Sequence, residues 1–294
     1  MLFRSFVNHA TMHLMKKLFK IHNNSEFEIH AFSYDMYGED DTKKDFKKEV
    51  DYFYDVRYMS DADVALLAKN KGIDIAVDLK GFTLQSRLGI FSYKFAPIQI
   101  SYLGYPGTLG AKFIDYMIAD KVVLPDEYRK FYSENIIYLP NSYQVNDDDK
   151  VISNKGVTRK DFGIDEDDFV FCSFNQPYKI TPVEFNSWMK ILKSVPNSVL
   201  WLMDYFDLSK ANLKNYAESC GVDSNRIIFS KRMDISDHLE RHKLGDLFLD
   251  TFNVNAHTTT SDSLWAGLPV LTLAGKSFSA RVSSSLDRKS TRLN

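Results

Sequence analysis

Short apolar runs alternate with amphipathic stretches from Phe169 onward, and this alternation predicts a parallel sheet joined by crossover helices. Strands are expected at Phe169–Phe174, Ser198–Met203, Arg226–Phe229, Asp246–Asp250 and Pro269–Leu273. Most are continuously apolar, so both faces should be covered. Between the first two, Phe185, Trp188, Met189 and Leu192 recur at i, i+3, i+4 and i+7, the stripe of a helix running from near Pro182 to near Pro196. The first half repeats this grammar less regularly, with a helix over Thr11–Lys20 and strands at Phe27–Ser33, Ile73–Leu79 and Pro97–Leu103. The stretch from Val123 to Lys160 is rich in charge and turn residues around Asp147-Asp148-Asp149 and is expected to connect two lobes. The expected division is a first lobe over 1–125, a connection over 126–164, a second lobe over 165–286 and an unrelated basic tail over 287–294. Two doubly wound α/β lobes imply a cleft between them, with ligands just past the carboxyl ends of the strands.

Composition narrows the function classes. The chain has 294 residues, 44% of them hydrophobic, enough for two lobes that each bury a core. A net charge of −2 offers no broad cationic surface, so neither nucleic acid nor a membrane surface is an expected partner. Cys172 and Cys220 form no Cys-x-x-Cys pair and fit a reducing compartment. Met1–Val7 is too soon polar for a signal peptide, and no apolar run reaches membrane-spanning length, so a cytoplasmic location is expected.

Four segments past expected strands carry candidate chemistry. After Asp250, the run from Asn253 through His257, Thr258, Thr259 and Asp262 leads into a helix bearing Leu264, Trp265 and Leu268. A hydroxyl-rich helix start offers free amides and a positive dipole end, which suits a pyrophosphate; it suits equally a plain Thr or Ser cap with Asp262 complementing the dipole. After the first strand of that lobe, Asn175-Gln176-Pro177-Tyr178-Lys179 places a lysine that either reaches a phosphate or stays solvated. After Phe229, Met233–His238 opens another helix, putting His238 on its first turn to recognise a base or simply to sit exposed near a capping Ser236. In the first lobe, Leu103-Gly104-Tyr105-Pro106-Gly107-Thr108 allows close backbone approach to a ligand, or packs as a turn.

Other signatures fail. Gly275-Lys276-Ser277 resembles the end of a P-loop, but Val270 stands where its first glycine belongs. No Gly-x-Gly-x-x-Gly follows a strand, which argues against a dinucleotide-dependent dehydrogenase. His9 and His13 have metal-pair spacing without a third ligand, and Asp61-Ala62-Asp63 after Ser60 reads as a helix cap and first turn. No bound metal is expected.

Taken together, NHATMHLM from Asn8, LGYPGT from Leu103, FNQPYKI from Phe174, VPNSVLWL from Val195, RIIFS from Arg226 and HTTTSDSLWAGLPVLT from His257 resemble the catalytic region of protein O-GlcNAc transferases, including bacterial and SPINDLY-like relatives. The likeness runs in order from about His9 to Leu286. It implies a GT-B glycosyltransferase of two Rossmann-like lobes that moves N-acetylglucosamine from UDP-GlcNAc to Ser or Thr hydroxyls of proteins, inverting and without a metal or other cofactor. By the same resemblance Lys179 is the essential pyrophosphate lysine and Gln176 its companion. His238 faces the uracil with Arg241 nearby, His257, Thr258 and Thr259 form the pyrophosphate-binding helix start, Asp262 holds the ribose, and His9 is the active-site histidine of the first lobe.

Three departures accompany the resemblance. Ile235 stands where these transferases carry a lysine near the uracil, so base affinity or identity should differ. The chain opens at the end of the family's first strand, so Met1–Phe6 is expected to leave the first sheet incomplete. After Leu286 the likeness stops, as in a region truncated at both ends. Two rivals follow: a GDP-fucose-dependent protein O-fucosyltransferase, and a non-catalytic fragment that binds a nucleotide sugar.

Overall fold

Two parallel sheets organise the chain in a computed structural model, which describes residues 2–4, 6, 9–35 and 38–286. The chain divides into units 1–149 and 150–294. The basic stretch 287–294, expected to be an unrelated tail, lies outside the described residues. No helix among the described residues is long and apolar enough to cross a membrane.

The first unit runs β1 (Leu2–Arg4), α1 (Ala10–Ile21), β2 (His30–Ser33), α2 (Asp41–Phe46), β3 (Tyr52–Asp55), α3 (Asp61–Asn70), β4 (Ile75–Asp78), β5 (Ile98–Ser101), β6 (Tyr116–Ala119) and β7 (Asn135–Tyr138). Its strands pair in the order β3-β2-β1-β4-β5-β6-β7, all parallel. The expected gap at the start of this sheet is not found: β1 is short but pairs with both β2 and β4. Packed against the sheet, Val64, Ala65 and Ala68 of α3 meet Phe32, Ala76, Ile90 and Phe91 in one apolar cluster.

Part of the expected connection over 126–164 is sheet. Strand β7 lies inside it and pairs with β6 through four residues, so the polar stretch carries the sheet's edge rather than a linker. The boundary between the two units, Asp149/Lys150, falls within the expected stretch. An edge strand needs only one partner and can leave alternate residues exposed, as Asn135 and Ile137 are here, so the run is short and is masked by the charge around it.

The second unit runs β8 (Phe169–Ser173), α4 (Pro182–Ser194), β9 (Ser198–Met203), α5 (Asp207–Ser219), β10 (Ile227–Ser230), α6 (Ile235–His242), β11 (Leu247–Leu249), α7 (Thr258–Trp265), β12 (Val270–Leu271) and α8 (Val282–Leu286). Strand order is β10-β9-β8-β11-β12, all parallel. Alternate residues of β9 show why its sequence is apolar throughout: Leu200 and Leu202 join Trp188 and Leu192 of α4 on one face, while Val199, Trp201 and Met203 join Val170 and Phe248 on the other. Thr181 caps α4, with Glu184 returning a capping-box contact and Pro182 at the first helical position.

That strand order has one functional consequence. Chain order reverses direction at β8, whose neighbours are β9 on one side and β11 on the other. The loops leaving β8 and β11 therefore diverge and leave an opening at the carboxyl ends of the strands, where open α/β sheets bind ligands.

Candidate active site

Those two loops carry Lys179 and His257. Past β8, Asn175 and Gln176 lead into a single turn, Pro177–Lys179, in which the Lys179 amide donates to the Gln176 carbonyl at 3.0 Å. The turn aims the Lys179 ammonium across to the β11–α7 loop, where Nζ donates to the Asn255 carbonyl at 2.7 Å. Lys179 is thus half-buried beside the start of α7, not solvated. Burial pushes its pKa down to about 8, against the pull of the nearby Asp250 carboxylate.

Asp250 organises the second loop. Only 1% exposed, it accepts from the amides of Thr251 and Ala256, both at 2.8 Å, and from Thr272 Oγ1 at 2.7 Å. Burial raises its pKa despite these donors. Asn175 completes the crossing, its Nδ2 reaching Thr251 Oγ1 at 3.1 Å, and Glu184 Oε1 accepts the Phe252 amide at 2.9 Å. The loop bearing Lys179 and the loop opening α7 are thus tied together at Asp250, Asn175 and Glu184.

His257 sits at the cap position of α7 with φ 52° and ψ −111°, a conformation that costs a non-glycine residue of order 1–3 kcal/mol. Its side chain does not cap the first turn. Instead Nε2 lies 3.0 Å from the Ser279 carbonyl, which can only accept, so the ring is the Nε2–H tautomer with its Nδ1 lone pair left over. Burial first, and then the Lys179 charge, push its pKa down to about 3, so the imidazole is neutral at pH 7. Thr258 and Thr259, half-buried, follow as the first helical residues. Asp262 lies in the second turn rather than the first, so it does not act as the dipole-complementing residue of the cap. It is buried and bonded to Lys150 Nζ at 2.7 Å.

A second cluster lies on α6, which packs against α7. His238 is the fourth residue of the helix, and the cap position belongs to Asp234 instead of Ser236. Arg241, fully buried, donates through Nε to His238 Nδ1 at 2.7 Å and through Nη1 to the Lys231 carbonyl at 2.9 Å; its guanidinium lies 4.8 Å from the Phe174 ring centroid. With Nδ1 accepting, neutral His238 carries its proton on Nε2. Burial, then His242, Arg241 and Arg232, hold His238 far below the usual imidazole range. Burial also draws Arg241 down to about 10.

The first-unit candidates resolve differently. His9 caps α1, its Nδ1 accepting the Thr11 amide at 3.4 Å. Ser60 caps α3 and Asp61 pairs with Arg87 at 2.6 Å, so this carboxylate pair is engaged in holding the helix start. Gly104 of the Leu103–Thr108 loop touches backbone: a Cβ there would lie 1.9 Å from the Leu79 carbonyl oxygen.

Asp250, Asn175, Glu184 and Lys150 were not singled out in the sequence. Thr181-x-x-Glu184 was a readable capping signature, but Asn175 bonds Thr251 across 76 residues and Lys150 bonds Asp262 across 112, beyond any local pattern.

The environment of the Lys179 ammonium has a consequence for stability. Its pKa is depressed from 10.5 to about 8, so between these values the unfolded chain holds a proton that the folded one does not. The cost of burying the ammonium is fully present below pH 8 and is relieved as pH rises. Relative to Lys179→Met, the wild-type unfolding midpoint should therefore climb between about pH 8 and 10; a constant difference would contradict this environment for Lys179.

Comparison with known proteins bears on the same elements. The sequence matches glycosyl transferase family 41 over residues 2–157 and 148–289. It is 39% identical over 286 residues to the probable UDP-N-acetylglucosamine--peptide N-acetylglucosaminyltransferase SEC of Arabidopsis thaliana, covering 96% of this chain and 29% of that protein. A second relative, the UDP-N-acetylglucosamine--peptide N-acetylglucosaminyltransferase of Caenorhabditis elegans, is 25% identical, covering 95% of this chain and 34% of its own length. The chain thus spans about a third of these relatives. A mutant of Thermobaculum terrenum O-GlcNAc transferase superposes with a TM-score of 0.87 at 26% identity, over 98% of this chain and 55% of that one. Anabaena HepE shares the fold more distantly, at TM-score 0.58 and 12% identity, over 99% of this chain and 90% of that one. The two doubly wound units are those of a GT-B fold, and the chain belongs to glycosyl transferase family 41.

Proposed function

We propose that the chain is the catalytic region of an inverting transferase that moves N-acetylglucosamine from UDP-GlcNAc to Ser or Thr hydroxyls of proteins without a metal ion. The observation that carries this reading is the Lys179 ammonium held against the loop that opens α7. As the sugar leaves, negative charge grows on the diphosphate, and a lysine, helix-terminal amides and the Thr258 and Thr259 hydroxyls are already in place to meet it. Preorganised charge of this kind supplies what a divalent cation supplies elsewhere. Neutral His257 adds a dipole there without a charge that would have to titrate.

His238 supports a base-binding role, since Arg241 fixes it as an Nε2–H donor. Ile235, the first residue of α6 and 38% exposed, brings no ammonium to this end of the helix. Base affinity should then rest on His238 and backbone groups. His9, which caps α1 through Nδ1, is read as the active-site histidine of the first lobe. The names of the relatives, which are peptide N-acetylglucosaminyltransferases, support the donor and acceptor classes.

The test is transfer of labelled sugar to a Ser/Thr-rich peptide. Label from UDP-GlcNAc should appear on the peptide, and UDP should inhibit at lower concentration than GDP. Transfer from GDP-fucose with preferential GDP inhibition would replace this reading with the fucosyltransferase one, and UDP binding without transfer would reduce the chain to a binding module.

A further inference from the structure

We infer that Lys150 is a positioning residue for the nucleotide: it neutralises and orients the Asp262 carboxylate so that one oxygen stays open to accept hydrogen bonds from the donor's ribose hydroxyls. The inference rests on the reading above that a nucleoside diphosphate occupies the opening of α7.

The geometry begins with the helix. Asp262 stands four residues after Thr258, so both project from one face of α7, and helical side chains lean toward the N-terminus. A diphosphate on the first turn therefore has its attached ribose within about one helical turn, roughly 5 Å, of this carboxylate. A bare carboxylate that close would repel the diphosphate. Lys150 removes the conflict, because its ammonium meets Asp262 Oδ1 at 2.7 Å with both side chains only 7% exposed. No other donor among the described residues bonds this carboxylate, which leaves Oδ2 available to a vicinal diol.

Lys150 is itself held. Trp265 Nε1, from the last turn of α7, donates to the Lys150 carbonyl at 3.1 Å, fastening backbone and side chain of this residue to the same helix. Lys150 is thus fastened to α7 at two points, and it decides which carboxylate oxygen faces outward.

Calorimetric titration of the full chain with UDP and with 2′-deoxy-UDP tests this. Wild type should prefer UDP by about tenfold or more, the worth of a hydrogen bond to a charged acceptor. Lys150→Met should abolish that preference and weaken UDP binding at least tenfold, and Lys150→Arg should restore both. Because Lys150→Met leaves a buried unpaired carboxylate, the double variant Lys150→Met/Asp262→Asn, which buries no charge, serves as the folded reference and should show the same lost preference. If either variant keeps the wild-type ratio, Lys150 has no positioning role. If wild type binds UDP without preferring it over the deoxy form, this inference fails and the diphosphate reading stands; if wild type does not bind UDP, that reading fails first.

Discussion

Lys179→Met should lower the rate of sugar transfer by about 10²–10³-fold while leaving the fold intact, the loss typical of removing one preorganised group from a developing oxyanion. The estimate has a Coulombic basis: a unit charge about 4 Å from one diphosphate charge, at an effective dielectric near 20, is worth roughly 4 kcal/mol, and each ~1.4 kcal/mol is tenfold in rate. Structural damage should be small, since methionine keeps the aliphatic stem and only the bond to the Asn255 carbonyl is lost. Because the charge matters most as the leaving group forms, kcat should fall more than KM rises. A rate within threefold of wild type would remove Lys179 from the mechanism.

Gly104→Ala should destabilise the first unit by about 3 kcal/mol, lowering its unfolding midpoint by roughly 6–12 °C. The new Cβ would lie 1.9 Å from the Leu79 carbonyl oxygen, 2.5 Å from its carbon and 2.8 Å from the Lys80 amide nitrogen. All three are backbone atoms of the loop leaving β4, and Leu79 is fully buried, so no rotamer change relieves the contact. The preceding Leu103 already has φ 64°, which leaves the turn little room to shift. Gly38→Ala is the control: its Cβ meets nothing within 4 Å and its backbone needs no left-handed conformation. Equal midpoints for the two variants in calorimetry would show that the loops after β4 and β5 do not press together as described.

Legibility of the fold followed burial. Strand β9 was readable to the residue because all six of its side chains are buried and the run is uninterrupted. Strand β3 was missed because its side chains are at best half-buried, and β7 because exposed residues alternate along it inside a charged stretch. Helix α5 buries only Ala217, so its periodicity was too faint to register. Lys179, His238 and the His257–Thr259 segment were legible because strand ends announce them. Their roles in the network were not, since the partners of Asp250 and Lys150 are set by how distant elements pack. The left-handed backbone at His257 was equally invisible, because no glycine marks it.

If Lys179 and the start of α7 hold a diphosphate, calorimetry should separate UDP from uridine. Wild type should bind UDP at least about a hundredfold more tightly than uridine, and Lys179→Met should lose most of this difference with its uridine affinity unchanged. Equal affinities of wild type for UDP and uridine, or a difference that survives in Lys179→Met, would contradict it.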